Sequence, residues 1–133
     1  MRGLIACFLA CLLLVPAPPS AQEGGRQREI QLRAGVMSAT FAGTIKGYQH
    51  VDYQVSAKAG QTLSVDLEAS NASAYFNIMR SGADEALFNG PMNGNHFKAA
   101  LPADGHYTIR VYIIRNAARR NEAAKYTLTV SVT

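Results

Sequence analysis

Leu101 to Val130 reads LPADGHYTIRVYIIRNAARRNEAAKYTLTV. Asp104-Gly105 is a hairpin-type turn signal, because Gly supplies positive φ and Asp tolerates the turn. Beyond it Tyr107, Ile109, Val111 and Ile113 alternate with polar residues, the period of a half-buried strand. Tyr126, Leu128, Val130 and Val132 form the matching face of a last strand. Arg115, Arg119 and Arg120 bunch in the connection between the two. Its alanines favour one short helix over Asn116 to Ala124, with Arg115 and Arg119 at i,i+4 pointing the same way.

Working outward, the same two-residue period returns with turn residues every 8 to 12 positions. Glu29 to Arg33 reads as a short first strand and Ser38 to Ile45 as a second, closed by Lys46-Gly47. Tyr48 to Ser56 alternates through Val51, Tyr53 and Val55. Thr62 to Glu68 sets Leu63, Val65 and Leu67 against Ser64, Asp66 and Glu68, a strand with one wet face. Ala74 to Met79 is a more continuous apolar run, suited to a central strand. Ala86 to Phe88 reads as an edge strand, and Asn89 to Asn95 (NGPMNGN) as a loop. The expected fold is all-β, an antiparallel β-sandwich or flattened barrel of seven or eight strands, with at most one short helix before the last.

The amino terminus reads differently. Arg2, the apolar run Leu4 to Val15 and the small, proline-rich Pro16 to Ala21 have the layout of a secretory signal, expected to span 1–21. The run is too short for a membrane span, and no second one follows. Gln22 to Gln27 (QEGGRQ) reads as a flexible leader, which leaves 28–133 as one β-sandwich domain. Both cysteines, Cys7 and Cys11, fall inside the signal, so disulfides and thiol chemistry are excluded from the mature chain. Its stability must come from a packed core. Losing Arg2 lowers the net charge from +4 to +3, too mild for a nucleic-acid binder.

Catalysis finds little support. His50, His96 and His106 are scattered and read as exposed polar residues. A hydrolytic site would need a nucleophile or a second carboxylate at defined distance. No HExxH, EF-hand or phosphate-loop pattern occurs, so no enzyme activity, cofactor or metal is expected. Asn71-Ala72-Ser73 fits a glycosylation sequon, a motif short enough to arise by chance. Tyr107 serves equally as the first core residue of its strand. The arginines are a stronger signal. Lys or Glu would solvate a face as well, whereas Arg suits bidentate carboxylate contacts and stacking on rings. An exported β framework with aromatic and guanidinium groups on its loops reads as a binder.

Three blocks carry a family resemblance: GTIKGYQHVDYQVSAKAGQTLSV from Gly43, LPADGHYTIRV from Leu101 and RNAARRNEAAKY from Arg115. From about Ser38 to Val132 the chain resembles the bacterial periplasmic lysozyme inhibitors, most closely those of g-type lysozyme, with the inhibitors of invertebrate-type lysozyme a near second. The resemblance implies a protein that plugs a lysozyme cleft and so protects the cell wall. In that family a loop bearing Ser-Gly-x-Tyr enters the groove, while a Tyr and Arg residues on neighbouring loops hold its sides.

Carried over residue by residue, the implied lysozyme-binding set is Tyr48, Asp104, Gly105, Tyr107, Arg115 and Arg119. Asp104 departs from the pattern, standing where the family has Ser; an Asp near a catalytic carboxylate is repelled. The implied partner is lysozyme, with no nucleic acid, and no membrane after signal cleavage; a homodimer is compatible. The implied location is the periplasm, with full secretion the other option. The rival readings are a carbohydrate- or cell-wall-binding module without inhibitory activity and a structural envelope domain.

Overall fold

Alternating strands leave each sheet with one apolar face, and two such faces satisfy each other by stacking. That is the arrangement in the computed structural model of the protein, which describes residues 25–30 and 38–133. The expected signal segment, 1–21, lies outside the described residues. Nine strands and two short helices follow in the order β1 (Gly25–Ile30), β2 (Ser38–Lys46), β3 (His50–Ala57), β4 (Thr62–Ala69), β5 (Ala74–Arg80), β6 (Ala86–Asn89), α1 (Gly90–Asn93), β7 (His96–Ala100), β8 (Gly105–Ile113), α2 (Arg115–Arg119) and β9 (Ala123–Val132). A five-stranded sheet runs β1-β3-β8-β5-β6 and a four-stranded sheet runs β2-β9-β4-β7. Two separate sheets make this a sandwich, not a barrel.

The strand faces are those the periodicity predicts. Tyr107, Ile109 and Val111 of one sheet are fully buried, as are Leu128 and Val130 of the other, with Leu63 and Val65 of β4 buried beside them. Aromatic rings close the β6 side: Phe88 lies 5.0 Å from Phe76 and 5.3 Å from Phe97 of the other sheet, centroid to centroid.

Four expectations need correction. The first described strand is Gly25–Ile30, starting before the expected Glu29, so Gly25, Arg26 and Gln27 are strand residues; 31–33 of the expected strand lie outside the described residues. This strand pairs parallel with β3, and the Arg26 guanidinium donates to the Thr44 carbonyl of β2. Ladder and staple use backbone groups, which side-chain periodicity does not report. A second helical turn, α1, occupies part of the expected loop, with Pro91 at its start. The last strand begins at Ala123, so the helix before it is confined to Arg115–Arg119.

The fourth concerns Asp104-Gly105, which makes no hairpin. β7 pairs with β4 and β8 with β3 and β5, so the segment between them crosses from one sheet to the other. The Asp104 carboxylate accepts the Ala59 N–H at 2.7 Å, tying the crossover to the β3–β4 turn.

Candidate partner-binding site

The β2–β3 turn and α2 meet at one end of the sandwich. Gly47 donates its N–H to the Glu122 carbonyl at 2.8 Å. Its φ is +59°, and a Cβ there would come within 2.8 Å of the Asn121 side-chain oxygen, so only glycine lets the turn close on this connection. Asn121 is itself left-handed at φ 58°, a conformation asparagine tolerates. Ala117 and Ala118 plug the underside of α2 into the core and leave Arg115 and Arg119 outside. Tyr48, next to Gly47, is 63% exposed, an unusual state for a tyrosine and one that leaves its ring free for a partner.

The basic cluster sorts into spent and free charges. Arg110 of β8 forks onto the buried Asp52 of β3, with Nε and Nη2 at 2.7 and 2.9 Å from the two carboxylate oxygens. The hydrogen bond to Asp52 raises the Arg110 pKa, against the lowering effect of burial. Arg120 donates to Glu122, and the Glu122 carboxyl is held below its usual range first by the Asn71 amide and then by Arg120. Asn71, the sequon residue, thus has a structural partner. Among the described residues neither Arg115 nor Arg119 has an ion-pair partner.

Tyr48 and Arg115 line one cavity of about 440 Å³ with Gln49, His50, Asn77, Arg110, Tyr112 and Ile113. Tyr112 donates its hydroxyl to the Asn77 carbonyl oxygen, and burial raises its pKa. Sequence reasoning missed Asn77, Arg110 and Tyr112 as neighbours of Tyr48. The outward alternation of β8 places Arg110 and Tyr112 on one face, but only the sheet register adds His50 and Asn77.

The structure does not bring the whole predicted set together. Asp104 and Gly105 lie at the opposite end of the β3–β8 ladder, where Gly105 pairs with Ala57 while Tyr112 pairs with His50. Seven residue steps separate the two ends, about 23 Å of strand. There Asp104 and Gly105 share a cavity with Ser56, Lys58, Gln61 and His106, whose ring nitrogen lies 2.8 Å from the Ser56 hydroxyl. Tyr107 is corrected to a core residue. Its side chain is fully buried and its hydroxyl donates to the Ala103 carbonyl, so it presents nothing to a partner.

The candidate site is thus a tyrosine-and-arginine tip on the sandwich. No family model matches the sequence. Over 126 residues it is 32% identical to the inhibitor of g-type lysozyme of Escherichia coli (strain K12), covering 92% of this chain and 93% of that protein. The chain belongs to the family of g-type lysozyme inhibitors. Among solved structures of this inhibitor family, Aeromonas hydrophila PliG, a periplasmic lysozyme inhibitor of g-type lysozyme, superposes with a TM-score of 0.75. It is 34% identical, with 83% of this chain and 98% of that one covered. The PliG inhibitor of Salmonella Typhimurium gives 0.64 at 30% identity, over 82% of this chain and 99% of its own.

Proposed function

We propose that this protein is a periplasmic inhibitor of g-type lysozyme, acting as a plug in the active-site cleft and catalysing nothing itself. The observation that carries this reading is exposed Tyr48 sharing a cavity with Arg115, with Arg119 one helical turn on, neither arginine having an ion-pair partner among the described residues. Lysozymes cleave glycosidic bonds with a carboxylic acid as proton donor, in a groove shaped for sugar rings. An arginine seated beside that acid favours its ionised form, which has no proton to give. A tyrosine ring covers a sugar subsite by stacking. Both effects require the tip to enter the cleft, and its Gly47–Glu122 weld holds it ready to do so. Asp104 and Gly105, a strand length away, fall outside this contact.

The test is residual cell-wall hydrolysis by g-type, invertebrate-type and chicken-type lysozymes, titrated with the mature protein. Stoichiometric loss of g-type activity is expected. Full activity of all three at excess protein would refute inhibition.

A further inference from the structure

The cavity behind Tyr48 and Arg115 has an unusual polarity. Every carboxylate and amide oxygen of its side-chain wall and of the Arg110–Asp52 pair is already taken. Asp52 gives both oxygens to Arg110, Asn77 Oδ1 accepts from Gly90 N–H and Tyr112 Oη, and Gln49 Oε1 accepts from Lys46 N–H. Backbone N–H groups can only donate, so they fix which end of each amide is oxygen. Apart from the Tyr48 and Tyr112 hydroxyls and the His50 ring, which can accept as well as donate, what remains free among the described residues is the opposite kind of group. Arg115 contributes its whole guanidinium, Asn77 its Nδ2, Gln49 its Nε2, and Arg110 the N–H groups it does not spend on Asp52. Arg110 and Asp52 cancel in charge, so Arg115 leaves the wall net positive. A neutral sugar hydroxyl, which both donates and accepts, is half matched by such a wall. A carboxylate, which only accepts, is fully matched.

We propose that this cavity is the subsite that seats one acidic side chain of the bound lysozyme, with Asn77, Gln49 and Arg110 as specificity-determining residues beside Arg115. The inference rests on the lysozyme reading above and names the chemistry of one contact within it. Its occupant is assigned to lysozyme because Tyr48 and Arg115 belong both to the cavity and to the proposed contact tip. The cavity is preorganised: Asn77 is held from two sides, and Arg110 is held by a two-point fork. A carboxylate entering it meets donors that need no rearrangement.

Asn77→Asp and Gln49→Glu test this with almost no change of shape. Each keeps the oxygen that its backbone partner needs and turns the free amide donor into a carboxylate oxygen. Each is expected to weaken inhibition of g-type lysozyme by about tenfold or more, as like charges meet in a desolvated contact. Thr127→Glu, exposed on the other sheet, adds the same charge elsewhere and is expected to change inhibition less than twofold. Thermal midpoints separate misfolding from lost contact. Inhibition within twofold of wild type for both amide variants would overturn the subsite. Arg119→Ala, outside the cavity, reports on the lysozyme contact itself, so its failure is separable from failure of the subsite. If N-acetylmuramic acid shifts the Tyr112 and Arg115 resonances while both acidic variants inhibit normally, the occupant is a saccharide carboxylate, and the proposal is likewise overturned.

Discussion

The hydroxyls of Tyr53 and Tyr126 meet at 2.7 Å inside the core, one from each sheet. Both rings are almost wholly buried, and Phe41 of β2 packs on Tyr53 at 5.1 Å. Each hydroxyl is the other's only partner among the described residues. Removing one strands the second without water, at a cost of ~1–3 kcal/mol. Tyr126→Phe is therefore expected to lower stability by that order, while Tyr53→Phe with Tyr126→Phe costs less than the two single changes summed. Urea titrations of the four proteins check this, and strictly additive losses would contradict the pairing.

Alkali acts on the same pair. Burial, and then the hydrogen bond shared with Tyr53, pushes the Tyr126 hydroxyl well above the ordinary tyrosine value of 10.0. A raised folded-state pKa means the unfolded chain ionises first. The contribution is whole below about pH 10 and drains away as pH climbs towards the folded value. Denaturant midpoints are expected to hold steady up to about pH 9 and fall beyond about pH 10, more steeply in the wild type than in Tyr126→Phe. Parallel pH curves for the two would show that Tyr126 is not responsible.

Strand faces were legible in the sequence because burial on one side of a pleat writes a period of two into the chain. Tyr107, Ile109 and Val111 obey it, and so do Leu63 and Val65. Two kinds of information were not legible. Strand partnership is one: Asp104-Gly105 has hairpin chemistry, yet β7 and β8 lie in different sheets. Local turn preference says nothing about which distant strand wins the backbone ladder. The state of a charge is the other. Arg110, Arg115, Arg119 and Arg120 look alike in sequence, and only the cross-strand register with Asp52 and the turn to Glu122 show which two are spent. Of the expected binding set, Tyr48 and Arg115 share one cavity and Arg119 lies one helical turn from Arg115. At Tyr107 family motif and core periodicity fall on one residue, and the structure buries it.

That coincidence makes Tyr107 a discriminating variant. As a contact residue it would lose inhibition on truncation and keep its stability. As the fully buried ring seen here, Tyr107→Ala is expected to cost ~3–5 kcal/mol of stability. Tyr107→Phe, which loses only the bond to the Ala103 carbonyl, is expected to cost about 1 kcal/mol and to inhibit normally. Weaker inhibition by folded Tyr107→Phe would return Tyr107 to the interface.

Asp104 has a structural duty that a serine can share. Its carboxylate accepts the Ala59 N–H across the crossover, and a serine hydroxyl offers an acceptor on a similarly short side chain. Asp104→Ser is expected to inhibit g-type lysozyme within about twofold of wild type, whereas Asp104→Ala frees the Ala59 N–H and lowers stability by ~0.5–1.5 kcal/mol. A large loss of inhibition in folded Asp104→Ser would show that the crossover end touches the enzyme after all.

The arginines make the strongest demand on the proposed tip. Arg119 and Arg115 sit one helical turn apart with no internal ion pair among the described residues, so their removal withdraws nothing from the fold. Arg119→Ala and Tyr48→Ala are expected to leave thermal midpoints within about 2 °C of wild type, as surface changes do. A guanidinium paired with a carboxylate in a closed cleft is worth ~2–5 kcal/mol on truncation, so inhibition by Arg119→Ala should fall at least about thirtyfold. Salt supplies an independent reading. Raising ionic strength from about 0.05 to 0.5 M shortens the screening length and is expected to weaken wild-type inhibition more than that of Arg119→Ala. Isothermal titration at the two salt levels measures both quantities together. Equal salt slopes, with Arg119→Ala as tight as wild type, would remove Arg119 from the contact and leave Tyr48 and Arg115 to carry it.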